Sequence, residues 1–198
     1  MKILIIGASG LIGGAIYNAL KNEHEVFGAY RTSSEYPVDT TNAASIRSLF
    51  ERLPKLDAVI NAAGAAPFKP FETLTEDDYY EGIKDKLMGQ VNLVHIAKDH
   101  LNPGASITLT TGILADHPEK GSTALALVNG ALHSFVMAAA PFIDNNIRIN
   151  VVAPGSIGNH MAENELFAGH KAVAIDAVIE VYKEALFGSQ TGQVFRIY

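Results

Sequence analysis

The sequence contains no cysteine, which excludes disulfides, zinc–thiolate sites and thiol nucleophiles together and fits a reducing compartment. Charge is scarce as well. Only 18% of the 198 residues are Asp, Glu, Lys or Arg, and 15 basic residues against 21 acidic ones leave a net charge of −6. A chain of that sign is not built to hold nucleic acid or an anionic membrane. Its longest apolar runs are of strand length, far short of the ~20 residues that span a bilayer. The opening Met1-Lys2-Ile3-Leu4-Ile5-Ile6-Gly7 starts like a signal peptide, but glycines interrupt it and no apolar h-region follows. These absences lead us to expect a soluble, cytoplasmic protein with neither nucleic-acid nor membrane partners. Apolar residues, at 48%, are plentiful enough for a real core and exclude a disordered chain. At this length we expect a single domain over residues 1–198.

Short apolar runs alternate with longer helical patterns. Residues 3–6, 26–30, 58–60, 106–111, 147–152 and 192–197 read as strands. Residues 11–21, 42–53, 75 to about 100, 122–142 and 171–187 read as helices, the third opened by the capping box Thr75-Glu76-Asp77-Asp78. Such alternation predicts an α/β fold: one Rossmann-like, doubly wound parallel sheet of about seven strands with helices on both faces. The irregular segment 156–170 follows a strand's carboxyl end, where such sheets bind ligands. It offers Asn159, His160, Glu163 and Asn164 as polar candidates for a substrate pocket.

Gly7-Ala8-Ser9-Gly10-Leu11-Ile12-Gly13 follows the first strand and opens the first helix. Gly7 permits a tight turn, Gly10 lets backbone approach a pyrophosphate, and Gly13 lets helix and sheet pack closely. The backbone of Ser9, Leu11 and Ile12 then meets the phosphates with the help of the helix dipole. In this strand–loop–helix context the motif predicts a dinucleotide site. The second strand ends in Tyr30-Arg31-Thr32-Ser33-Ser34, with no acidic residue before Glu35. An acid there would hold both ribose hydroxyls of NAD. Arg31 can instead fork onto a 2′-phosphate, with Thr32 and Ser33 as hydroxyl donors, so NADP(H) is favoured over NAD(H).

These residues carry a resemblance to the short-chain dehydrogenase/reductase superfamily over nearly the whole chain. The glycine spacing resembles that family's Gly-x-x-Gly-x-x-Gly. Asp39-Thr40 resembles its adenine-contacting Asp, and Asn61-Ala62-Ala63-Gly64 its Asn-Asn-Ala-Gly signature. Residues 147–155, Ile-Arg-Ile-Asn-Val-Val-Ala-Pro-Gly, resemble the segment that borders the nicotinamide, which brings Pro154, Gly155 and Ile157 into the cofactor set. The resemblance further implies dimers or tetramers built on the two long helices, and a small-molecule substrate.

The family's catalytic pattern, however, is not reproduced. Hydride transfer to a carbonyl leaves an alkoxide that must be protonated or stabilised, which the family does with a Tyr, Lys, Ser and Asn. Counting from the matched segments, the Tyr position falls on Leu125, the Lys position on Asn129, the Ser position on Gly112 beside Thr111, and the Asn position on Lys86. Tyr80-Glu81-Gly82-Ile83-Lys84 has the Tyr-x-x-x-Lys spacing but lies on the preceding helix. The expectation is that Lys86 replaces the absent pair, that Thr111 orients the substrate, and that Asn129 contacts the nicotinamide ribose. A stem that packs while its ammonium snorkels to water is the alternative for Lys86. His117, in Asp116-His117-Pro118 after the same strand, could donate a proton, but a lone histidine there reads rather as a surface group, and His133 and His160 read the same way. Phe68, Phe71 and Pro67 form an apolar lip or mere loop packing. No spacing points to a metal, and Ser9 sits on no nucleophile elbow.

Two functions stay open: an NADPH-linked reductase of a small carbonyl compound with a rebuilt site, and a catalytically silent NADP(H)-binding sensor or regulatory module. An epimerase or dehydratase is a third, weakened by the same absent Tyr.

Overall fold

In β1 (Lys2–Ile6), Leu4 and Ile6 turn into one apolar core and Ile3 and Ile5 into another, and all four are buried. A strand sends alternate side chains to opposite faces, so a run with no polar residue demands cover on both. The computed structural model, which describes residues 1–158 and 171–198, supplies that cover. After β1 come α1 (Leu11–Leu20), β2 (Glu25–Tyr30), β3 (Tyr36–Pro37), α2 (Ala43–Glu51), β4 (Leu56–Asn61), α3 (Glu76–Gly82), α4 (Met88–Ala97), β5 (Leu101–Thr110), α5 (Thr123–Ala139), β6 (Arg148–Pro154), α6 (Ile175–Phe187) and β7 (Val194–Ile197). The strands pair in parallel in the order β3-β2-β1-β4-β5-β6-β7. Leu49 and Phe50 of α2, Leu93 of α4 and Leu132 and Val136 of α5 fill the core on one face. Ile16 and Leu20 of α1 and Val178 and Tyr182 of α6 fill the other. The chain reverses direction across the sheet between β1 and β4, and ligands of such sheets sit at the carboxyl ends beside that switch point.

The expected helix over 75–100 is divided. Its capping box forms as read, with Thr75 and Asp78 exchanging side-chain and backbone hydrogen bonds. A π turn at Ile83–Leu87 then interrupts it. One residue more than an α turn is fitted there, and Lys86 in that turn is only 8% exposed. The expected helix over 122–142 is α5 plus a 3-10 turn at Ala140–Phe142, where Pro141 lacks the N–H an α-helix needs. Together, Thr123–Phe142 are long and apolar enough to cross a membrane by length and composition, at a mean hydropathy of 1.5, which a scan for unbroken apolar runs overlooks. Here Val128, Leu132 and Val136 of this helix are buried in the fold. The two-residue β3 is too short to leave a periodicity. Asn159, His160, Glu163 and Asn164, with most of the expected 156–170 segment, lie outside the described residues.

Candidate active site

Where β1 passes into α1, Gly7 and Gly13 leave no room for a side chain. Gly7 has φ +86°, and a Cβ on it would stand 2.8 Å from the Ala62 carbonyl carbon. A Cβ on Gly13 would stand 2.2 Å from the Gly7 carbonyl oxygen. Gly10 caps α1 without a side chain, so among the described residues no capping side chain satisfies the N–H groups of the first turn. A tight backbone cradle with open donors fits a dinucleotide pyrophosphate.

Of the cavities bordering this glycine loop, two bear on the predicted site. The first, about 320 Å³, is walled by Gly7, Ser9, Arg31, Thr40, Ala63 and Gly64, with Asp85 of the π turn. Arg31 reaches Asp39 at 3.8 Å and Asp85 at 3.6 Å, and its side chain remains 64% exposed. The Asp39 carboxyl is held below its ordinary range, first by hydrogen bonds from the Thr41 hydroxyl (2.8 Å) and backbone N–H (3.0 Å), with Arg31 adding to the effect. Asp85 also accepts from the Ala65 N–H at 3.0 Å, tying the π turn to the loop after β4. Thr32 and Ser33 are exposed and belong to neither cavity wall. The Asn61 amide serves its own turn, donating to the Ala63 carbonyl at 3.0 Å.

The second cavity, about 640 Å³ and mostly apolar, is walled by Leu11, Ile12, Ala62, Thr111, Pro154, Gly155 and Ile157, together with Phe68 and Leu125. Phe68 thus joins the site, packed against Gly121, whereas Phe71 is exposed. Leu125 stands where the resemblance implies a Tyr. Tyr80 is 58% exposed on α3.

Thr111 follows β5 directly. Its N–H donates to the Val152 carbonyl at 2.9 Å, and its Oγ1 lies 2.8 Å from Nε2 of His133. The sequence reading of His133 as a surface group is therefore corrected: it is buried on α5, one turn beyond Asn129. Burial lowers the proton affinity of His133; Asp116 opposes that shift and Arg196 reinforces it. Asn129 is buried too, and among the described residues its Oδ1 has no hydrogen-bond partner. Lys86 packs beneath Gly64, where a Cβ would come 3.1 Å from Lys86 Cα and Cγ. Desolvation lowers the Lys86 pKa to about 8, against a smaller opposing effect of Asp85. α5 packs on the π turn that carries Lys86, but the wall of the larger cavity includes neither Lys86 nor Asn129.

Sequence reasoning missed the groups that hold this end of the sheet in place. Gln90 of α4 donates to the Thr110 carbonyl and accepts from the Thr110 N–H, both at 3.0 Å. The Thr110 hydroxyl donates to the Asn61 carbonyl at 2.6 Å and lies 2.6 Å from the buried Tyr182 hydroxyl. Beside the site, Asp116 accepts two bonds from Arg196 (3.1 and 3.2 Å) and one from the Tyr198 hydroxyl (2.7 Å). Burial and that carboxylate push the Tyr198 phenol up to about 12. The one available signal was a polar residue at a core-facing position of an apolar helix, as at Gln90 and His133.

A family model described as enoyl-(acyl carrier protein) reductase matches residues 15–179. The hydroxynaphthalene reductase arp2 of Aspergillus fumigatus is 27% identical over 153 residues, covering 73% of this chain and 56% of that one. The 2,3-dihydro-2,3-dihydroxybenzoate dehydrogenase of Escherichia coli is 26% identical over 142 residues, covering 66% and 57%. The chain thus spans a little over half the length of these curated relatives. Among solved structures, the protein lin1944 from Listeria innocua superposes with a TM-score of 0.96 at 39% identity over 100% of both chains. A short-chain dehydrogenase from Burkholderia cenocepacia in complex with NADP shares the fold, with a TM-score of 0.87 at 22% identity over 98% of this chain and 95% of that one. With a glycine cradle at the switch point of a parallel sheet and a family match across most of its length, the chain belongs to the short-chain dehydrogenase/reductase superfamily.

Proposed function

We propose that this single-domain protein is an NADPH-linked reductase of a small, largely apolar carbonyl compound, working through Thr111, Lys86 and Asn129. The observation that carries this reading is the pair of cavities on either side of the glycine loop, one holding Arg31 and the other Thr111. A reduced nicotinamide dinucleotide bound along that loop would supply the hydride. The backbone from Gly7 to Gly13 would bind its pyrophosphate, and Arg31 the 2′-phosphate, drawn from Asp39 and Asp85. Asn129 Oδ1, buried without a partner among the described residues, suits a ribose hydroxyl. The apolar wall of the larger cavity would exclude water and seat the substrate, whose carbonyl the Thr111 hydroxyl would orient. Lys86, desolvated beneath Gly64, would add positive potential as charge develops on oxygen. The Burkholderia cenocepacia neighbour solved with NADP supports the choice of cofactor.

Leu125 in the cavity wall favours a second reading, a silent NADP(H)-binding module. Titration with NADPH and NADH, followed by nicotinamide fluorescence, and then a screen of small aldehydes, ketones and α-diketones for NADPH oxidation separate the two. Tight NADPH binding with turnover supports the reductase, and tight binding with none supports the module. Exposed Leu127 and Met137 on α5, with Phe142 beyond it, support assembly into dimers or tetramers; a light-scattering mass of one chain would argue against it.

A further inference from the structure

His133 is a nearly buried imidazole on a helix whose inward face is otherwise mostly apolar, and its Nε2 lies 2.8 Å from the only hydroxyl of the Thr111 side chain. Thr111 in turn lines the 640 Å³ cavity. The hydroxyl thus lies between the His133 imidazole and the Val152 carbonyl, to which it donates at 3.5 Å, on a residue that also borders the cavity. Buried imidazoles are costly unless bonded, and a packing role needs no partner on a residue that also lines a cavity. We propose that Thr111 and His133 form a two-residue proton relay, with His133 as the acid–base group that acts on a substrate oxygen in the larger cavity through the Thr111 hydroxyl. The inference rests on the reductase reading and deepens it by supplying the proton that the absent Tyr would have given.

The relay balances. Hydride reaches the carbonyl carbon and the C=O electron pair moves onto oxygen. That oxygen takes the Thr111 hydroxyl proton, and Thr111 Oγ1 takes the Nε2 proton of cationic His133. The product is an alcohol, Thr111 is restored, and His133 is left neutral to be reprotonated from solvent. In alcohol oxidation the same protons run backwards, and neutral His133 is the acceptor. The charged groups acting on the ring are Asp116, in the loop after β5, and Arg196 of β7. Asp116 favours the cation, Arg196 opposes it, and burial prevails, so the ring loses its proton below the ordinary histidine value. Reduction should therefore slow as pH rises through that low value, and oxidation should speed up.

The test compares wild type with His133→Gln, Thr111→Val and Thr111→Ser. Four readouts are used: NADPH affinity, the pH profile of NADPH-dependent reduction across the carbonyl panel, thermal stability, and the NMR titration of the His133 ring. His133→Gln keeps a hydrogen bond to Thr111 but carries no group that gains or loses a proton near neutral pH. We expect His133→Gln and Thr111→Val to lower kcat by about 100-fold or more, with NADPH affinity unchanged and the imidazole limb gone from the pH profile. Thr111→Ser should restore most of the rate, and Thr111→Val should displace the His133 titration. A His133→Gln enzyme with the wild-type rate and profile overturns the relay and leaves the reductase reading standing. So does a His133 titration identical in wild type and Thr111→Val. A wild type that binds NADPH and reduces nothing in the panel overturns the reductase reading, and the relay with it, before any variant is made.

Discussion

Gly13 lies so close to Gly7 that a Cβ on it would stand 2.2 Å from the Gly7 carbonyl oxygen and 2.7 Å from its carbon. Both contacts are with backbone, which cannot swing away as a side chain could. Gly13→Ala should therefore push α1 off the loop, costing about 1–3 kcal/mol of stability and lowering Tm by roughly 2–10 °C. NADPH binding should be lost with it. Gly10→Ala, whose Cβ would meet the same oxygen at 3.3 Å, should be milder in both respects. Differential scanning fluorimetry with and without NADPH checks the order.

Arg31 is poised between Asp39 and Asp85 rather than buried in either pair. Exposed pairs of this kind stabilise little, so Arg31→Ala should leave Tm within about 1 °C of wild type. NADPH affinity should fall by about 10-fold or more, since a charge-assisted contact is worth roughly 1.5–3 kcal/mol, while NADH affinity holds. Equal loss for both cofactors would remove the 2′-phosphate role.

Lys86 couples stability to pH. Its pKa is about 8 in the fold against 10.5 ordinarily, so between those values the unfolded chain binds more protons than the folded one, and stability rises with pH. The full difference corresponds to about 3 kcal/mol. Lys86→Met should be more stable than wild type at pH 7, and the gap should close from about pH 8 to 10.5. Its carbonyl reduction should fall at the same time. Urea melts at a series of pH values, read as a difference between the two proteins, test the first point and NADPH oxidation the second.

Tyr182→Phe removes the hydroxyl 2.6 Å from Thr110 Oγ1, whose own bond to the Asn61 carbonyl remains. The expected cost is about 1 kcal/mol, read as a lower urea midpoint with an unchanged slope. Because Thr110 precedes Thr111, NADPH affinity should stay while any carbonyl turnover drops.

Much of this fold was legible because its signals are local. Strand-length apolar runs without polar interruption announced a sheet covered on both faces, and Gly7, Gly10 and Gly13 announced the cradle, since Gly7 and Gly13 leave no room for a Cβ and Gly10 leaves little. The capping box at Thr75 and Asp78 was readable for the same reason. The π turn was not, because nothing in the order Ile83-Lys84-Asp85-Lys86-Leu87 marks an inserted residue. Nor was β3, whose two residues are ordered by pairing with β2.

The sequence by itself determined the parallel α/β architecture, the glycine loop and the basic residue after β2, because spacing along the chain already encodes strand, turn and helix. Only the tertiary structure decided what stands at the reaction end. It buried Lys86 beneath Gly64, left Asn129 Oδ1 without a partner among the described residues, and carried His133 from α5 to within hydrogen-bond reach of Thr111 across 22 positions of sequence. Those meetings depend on how α5 packs against the sheet and the π turn, and contacts between distant segments leave no period in a sequence.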